Sequence, residues 1–226
     1  MAGIKNLRAN PVGVCYNKIC GNAVSMIRIL GKIPTRVTLA CSGGLDSMAV
    51  LDFLLRGKKK VSVAYFNHGT EHGDVAEKFV RSYCKDKNIP FTSGFISRER
   101  NNDESPEEHW RNERYKFFNS LSGKIVTAHH LDDVIEWWVF TSLHGDPRLM
   151  PSSNGKIIRP FLSTKKEDLL NWSRRKSVPF VYDPSNSEVR YSRNRIRHNI
   201  IPQMMEINPG LGKVIRKKIE AREAGA

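Results

Sequence analysis

The chain has 226 residues, 39% hydrophobic and 27% charged, with a formal net charge of +14 and a pI near 9.8. That length suits one core-bearing domain with a small appendage, and the basic excess calls for a polyanionic partner, nucleic acid rather than an anionic membrane. No apolar run approaches the ~18 residues of a membrane span, and no segment has the basic amphipathic character of a surface anchor. The four cysteines, Cys15, Cys20, Cys41 and Cys84, form no Cys-x-x-Cys pair and read as reduced cytosolic thiols.

In chain order, residues 1–14 read as an irregular basic arm, with no acid before Asp46. Tyr16 to Leu30 has apolar residues at helical spacing, closed by Gly31 and Pro34. Val37 to Cys41 is an all-apolar strand of the kind buried on both faces. Ser47 to Leu55 is a helix, Val61 to Asn67 a strand, Asp74 to Asn88 an amphipathic helix and Phe91 to Ile96 a short strand. Glu107 to Leu121 is a helix, Lys124 to Ala128 a strand and Asp132 to Leu143 a helix. Pro147 to Gly155 reads as loop, Ile157 to Leu162 as a fifth strand, Lys165 to Ser177 as a helix and Tyr191 to Met205 as a very basic helix. Four strand–helix alternations predict an α/β fold, a parallel sheet flanked by helices, with ligands beyond the carboxyl ends of the strands. The predicted organisation is a basic arm and helix at 1–34, the sheet domain at 35–162 and a basic helical region at 163–226.

The junction of the first strand and helix reads Ser42-Gly43-Gly44-Leu45-Asp46-Ser47. Paired glycines allow a tight turn and close backbone approach to a ligand, and the helix amino terminus behind them is an anion site suited to phosphate. An ordinary turn capped by Ser42 or Asp46 explains one polar residue, not the set. There is no Gly-Lys-Ser/Thr, so the loop is not a Walker loop.

This hexapeptide resembles the pyrophosphate loop of the N-type ATP pyrophosphatases, the PP-loop superfamily, which cleaves ATP between its α and β phosphates and adenylates a carbonyl oxygen. Three later stretches resemble the tRNA(Ile)-lysidine synthetase family: "YFNHGTEHGDVAE" (65–77), "WRNERYKFF" (110–118) and "TAHHLDDVIEWW" (127–138). "IIRPFL" (157–162) and "DPSNSEVRYSRNRIRHNIIP" (183–202) follow in that family's order. The resemblance implies an ATP-dependent ligation of free lysine to the wobble cytidine of the tRNA(Ile) CAU anticodon through an adenylated tRNA, with ATP and Mg2+ as cofactors. It implies a cytoplasmic setting; the acid-free arm keeps organellar import as an alternative, and a homodimer is left open.

Site residues follow. Ser42, Gly43, Gly44, Leu45, Asp46 and Ser47 are expected at ATP, with His68, Arg111, Arg114 and His130. Asp46, Arg114 and Asp133 are the catalytic candidates. Asp133 and Glu136 share a helix face, and the resemblance implies that they bind lysine. Asp46 and Asp132 are the magnesium candidates. Arg190, Arg193, Arg195 and Arg197 are expected to grip tRNA phosphates, with Tyr191 placed to stack on a base. For Arg111 and Arg114 the residues alone also allow a solvated face paired with Glu107, Glu108 and Glu113.

The chain departs from the family pattern at Thr70-Glu71, at Val134 and Trp137 and at His144-Gly145, and the sequence ends near 226, whereas many bacterial members carry further carboxyl-terminal domains. The last departure bears on tRNA discrimination rather than chemistry. A tRNA sulfur-transfer enzyme on the same loop, and an RNA-binding relative with a decayed pocket, are the alternative readings.

Overall fold

The computed structural model describes residues 26–183 and 192–225. Six strands form one sheet in the order β3-β2-β1-β4-β6-β5. The parallel strands are β1 (Arg36–Ala40), β2 (Lys60–Asn67), β3 (Phe91–Phe95), β4 (Ile125–Thr127) and β6 (Ile157–Ile158). β5 (Ser153–Asn154) is antiparallel to β6. The crossover helices are α1 (Leu45–Arg56), α2 (Glu71–Asp86), α3 (Pro106–Ser120) and α4 (Leu131–Leu143). The predicted α/β architecture is therefore the one observed. The chain runs outward through β1, β2 and β3, then returns to place β4 on the other side of β1. Its topological switch point thus lies between β1 and β4, where such sheets bind ligands.

Strands buried on both faces need near-continuous apolar sequence. Val37 and Leu39 of β1 and Val61 to Phe66 of β2 supply it, Ser62 excepted. One core cluster joins β1 and β2 to α1, α2 and α5 (Lys166–Lys176). A smaller one seats Phe118 of α3 on Ala64, Ile125 and Ile157.

The carboxyl-terminal chain forms α6 (Ser192–Arg195), a π-helical turn (Ile196–Ile200), α7 (Ile201–Ile207) and α8 (Leu211–Ala224). Leu211, Ile215 and Ile219 of α8 are buried with Leu131, Val134 and Ile135 of α4. At about 1.5–3 kcal/mol per fully buried aliphatic side chain, this contact fixes the terminal helices to α4. The π turn has a local cause. Pro202 has no N–H to give the usual i−4 carbonyl, and the Ile201 N–H reaches back five residues to the Ile196 carbonyl.

Three sequence expectations are corrected. Met26 to Leu30 is not helical: the Leu30 N–H donates to the Pro160 carbonyl at 2.7 Å and the Arg28 N–H to Thr164 Oγ1 at 2.9 Å. The rest of that predicted helix lies outside the described residues. The predicted fifth strand is only Ile157–Ile158, and the segment expected to be loop before it contributes β5.

Candidate active site

The loop after β1 departs sharply from an ordinary cap. Gly43 has φ +81°, and a Cβ there would stand 3.0 Å from Val80 Cγ2, so the position demands glycine. Gly44 is the residue preceding the helix, and no side chain caps α1. Neither Ser42 nor Asp46 therefore plays the capping role. Ser47 Oγ donates to the Gly44 carbonyl at 3.0 Å and lies 3.3 Å from Ser42 Oγ. Leu45 packs against the main core and steadies the turn. The result is a helix amino terminus presented without a side-chain acceptor, the arrangement that binds anions.

Across the switch point, the turn after β4 brings His129, His130 and Asp133 to this loop. Asp133 accepts the His130 N–H at 2.9 Å. His130 Nε2 lies 3.6 Å from Asp46 and 3.5 Å from Asp133. Burial alone pushes this imidazole down, but Asp133 and Asp46 outweigh it and raise its pKa to about 9. Its Nδ1 is buried with no partner, and so is one Asp46 carboxylate oxygen, Oδ1. Unpaired buried polar atoms are costly and mark where a ligand completes the structure. No group of three or more His, Cys, Asp or Glu forms a metal site among the described residues. Magnesium fits this donor set only in its usual manner with nucleotides, on one or two carboxylates plus phosphates and water. Asp46 meets that description. Asp132 does not: it is exposed, and its Oδ1 accepts the Lys166 N–H at the start of α5.

From α3, Arg114 acts electrostatically on His68 and His129. Arg114 is half-buried and has no carboxylate partner among the described residues. Glu113, offered by sequence as its neutraliser, instead accepts Ser97 N–H and Oγ at 2.8 and 2.6 Å and lies 3.4 Å from Arg98. Arg111 is exposed, its guanidinium 5.5 Å from the Tyr115 ring centre. His68 sits between Phe66 and Trp110, with ring centres 5.1 and 5.5 Å away. Burial, and then Arg114, push its pKa down to about 4, so it is neutral at pH 7. Its Nδ1 is also buried without a partner. Sequence reasoning missed Arg159. It is buried, bonded to the Pro151 carbonyl and the Tyr115 hydroxyl, and its Nε has no partner. The available signal was an arginine inside the apolar run "IIRPFL".

The acidic face of α4 holds the main surprise. Glu136 is buried and accepts Arg197 Nη2 at 2.6 Å. Arg193 lies 3.8 Å from its other oxygen, and Arg197 is 3.5 Å from Asp133. Burial raises the Glu136 pKa despite these cations. For Asp133 the opposing pull of His130 prevails over burial and holds it below the usual carboxylate value. Two of the arginines expected on tRNA are thus turned inward onto the protein's own acids, because one face of their helix is docked on α4. Arg193 also lies 5.5 Å from the Trp137 ring centre, so that tryptophan packs beside the acidic pair. Arg195 is exposed. Arg190 and Tyr191 lie outside the described residues.

An uncapped glycine turn at the switch point of a parallel sheet, beside a carboxylate with one buried oxygen left unpartnered, defines a phosphate-binding α/β protein. A PP-loop domain model matches residues 19–204, and the chain belongs to the PP-loop family. Among curated proteins it is similar to tRNA(Ile)-lysidine synthases. It is 34% identical over 191 residues to that of Thermotoga sp. strain RQ2, covering 76% of this chain and 46% of the relative. It is 34% identical over 192 residues to that of Petrotoga mobilis, covering 77% and 61%, and 30% over 195 residues to that of Lactiplantibacillus plantarum, covering 78% and 44%. The chain spans about half the length of the curated relatives it matches. A solved U34-tRNA thiolase from Methanococcus maripaludis shares the fold, with a TM-score of 0.67 at 19% identity over 91% of this chain and 76% of that one.

Proposed function

We propose that the chain catalyses ATP-dependent attachment of free lysine to the wobble cytidine of a tRNA(Ile) with a CAU anticodon. The observation that carries this reading is the meeting, at one sheet edge, of a phosphate-binding turn and an acidic pair on α4. The first suits ATP and the second suits a substrate amine. Similarity to tRNA(Ile)-lysidine synthases supports the same assignment.

The chemistry runs in two steps. The ring carbonyl oxygen of the cytidine attacks the α phosphorus of ATP, and pyrophosphate leaves with the electrons of the broken P–O bond. The lysine side-chain nitrogen then forms a bond to the ring carbon, the C–O bond breaks, AMP leaves with its electron pair, and the nitrogen gives up a proton. Adenylation is needed because oxide is a very poor leaving group.

The turn at Ser42 to Ser47 holds the phosphates through backbone N–H groups and hydroxyls. Asp46 would hold magnesium, which neutralises phosphate charge when bound. Arg114, with no acid partner among the described residues, stabilises the charge that develops at phosphorus. Arg111 and neutral His68 contact the nucleotide beside it, and His130 directs its unpaired Nδ1–H toward an oxygen acceptor. Asp133 and Glu136 receive the lysine amine. Exposed Arg195 contacts the tRNA backbone. Sulfur transfer calls for a reactive thiol; among the described residues the cysteines are Cys41 and Cys84, both buried, and burial raises both pKa values, that of Cys84 to about 12.

The test is incubation of protein, ATP, radiolabelled lysine and bulk bacterial tRNA, followed by nucleoside digestion. Label in one modified nucleoside, dependent on ATP, is the expected result. ATP cleavage with no lysine in the digest rejects the assignment.

A further inference from the structure

Resting on the lysine reading above, we propose that Arg197 makes the acidic pair on α4 receive the attacking amine in its neutral form. A site built to hold a lysine ammonium would show carboxylates awaiting a cation. Here Glu136 already accepts Arg197 at 2.6 Å and has Arg193 at 3.8 Å, while Asp133 lies 3.5 Å from Arg197.

The surroundings do not restore a negative excess. Asp46, facing from α1, lies 3.6 Å from His130. His129, from the same turn, is held neutral by burial, its pKa pushed down to about 4. From α3, Arg114 adds positive charge with no acid partner among the described residues. Asp132 faces Lys166 and is exposed. Among the described residues, the two carboxylates of the α4 pair thus meet two guanidiniums, Arg193 and Arg197, before any substrate arrives, with Arg114 a further cation. A neutral amine adds no charge here, whereas an ammonium adds one for which neither carboxylate of the pair is left free.

A cationic neighbour and partial burial both favour the unprotonated form of an amine. The attacking nitrogen needs its lone pair, so the arrangement serves the second chemical step. It also answers why a buried acid should be saturated by the protein's own guanidinium. The carboxylates orient the amine by accepting its N–H groups, and Arg197 cancels the charge with which they would otherwise hold the proton on it. Arg197 lies in the π-helical turn at Ile196–Ile200, and such turns are frequent at functional sites.

The test is calorimetric titration of L-lysine, at about pH 8, into protein holding tRNA and a non-cleavable ATP analogue. Buffers of different ionisation enthalpy report the protons released. Free lysine is an ammonium at that pH, with an ordinary pKa of about 10.4. A downward shift of about three units, within the range of desolvated amines, releases well over half a proton per lysine bound. Wild type is expected to show that release. Arg197→Gln should bind lysine about tenfold more tightly, as one charge-assisted competitor is removed, and release little or no proton. Arg197→Lys, which keeps the charge, should release protons as wild type does. Wild-type binding without proton release overturns the proposal, as does Arg197→Gln binding more weakly with release unchanged, the mark of a guanidinium that simply contacts the substrate. Absence of any lysine heat in wild type is a different failure, since it removes the lysine assignment itself.

Discussion

Gly43 and Gly44 are neighbours in sequence, yet the structure assigns them opposite responses to the same substitution. In Gly43→Ala, a residue at φ +81° enters a region that costs an L side chain about 1–2 kcal/mol. The new Cβ also meets Val80 Cγ2 at 3.0 Å. Val80 is fully buried and β-branched, so it yields poorly, and overpacking of this kind costs about 1–3 kcal/mol. Together these give about 2–5 kcal/mol of lost stability. In Gly44→Ala the backbone has φ −72° and ψ 166°, open to any residue, and the nearest atom is Ser42 Oγ at 3.5 Å. Only the modest loss of a glycine before the helix remains, below about 1 kcal/mol. Yet its methyl stands on the turn that a phosphate must approach. Urea denaturation of both variants, compared by linear extrapolation, reads the stability difference, and the rise in melting temperature on adding ATP reads binding. Gly43→Ala should unfold early; Gly44→Ala should be nearly as stable as wild type but lose most of its ATP-induced shift. A Gly43→Ala protein within about 0.5 kcal/mol of wild type would refute the reasoning, as would equal destabilisation by both.

Acid should destabilise the fold through two histidines. His68 and His129 have folded pKa values of about 4 against about 6.5 unfolded. Their contribution is fully present above pH 6.5 and is lost as pH falls toward 4, by at most roughly 3 kcal/mol each. Denaturation at pH 7 and near pH 4.5 checks this, and His129→Gln should flatten the dependence. His130, raised to about 9, works in the opposite sense: its share is present below 6.5 and lost as pH rises through 9. On RNA, exposed Arg195→Ala should reduce the log–log salt slope of tRNA binding by roughly 0.7–0.9. Arg193→Ala should leave the slope unchanged, because that side chain faces Glu136 and Trp137; equal slopes for the two variants would return Arg193 to the RNA surface.

Much of this fold was readable because parallel strands covered on both sides must be apolar throughout. Val37 to Cys41 and Val61 to Asn67 therefore fell within a residue of the observed strands. The glycine turn was readable for a related reason: few residues other than glycine tolerate the backbone at Gly43. What escaped reading depended on contacts distant in sequence. Met26 to Leu30 has helical spacing, yet its backbone bonds to Pro160 and Thr164 instead. β5 and β6 are two residues each, too short for any period to show. α8 went unread although Leu211, Ile215 and Ile219 stand four apart, a signal hidden among lysines and arginines. Spacing placed Arg193 and Arg197 on one helix face, but only the packing on α4 reveals that this face looks inward. Arg159 escaped because one charge in an apolar run has no period at all.

The central claim is that this chain activates tRNA by adenylation before lysine is used. Its most direct measurement uses ATP labelled at the α phosphate, tRNA and no lysine, with the tRNA recovered under quenching conditions. The account predicts label on the tRNA and a matching release of pyrophosphate. Both should be lost in Asp46→Asn while tRNA binding persists, and the label should be discharged as AMP when lysine is added. Pyrophosphate release that leaves the tRNA unlabelled, or an Asp46→Asn variant that adenylates as well as wild type, would contradict it.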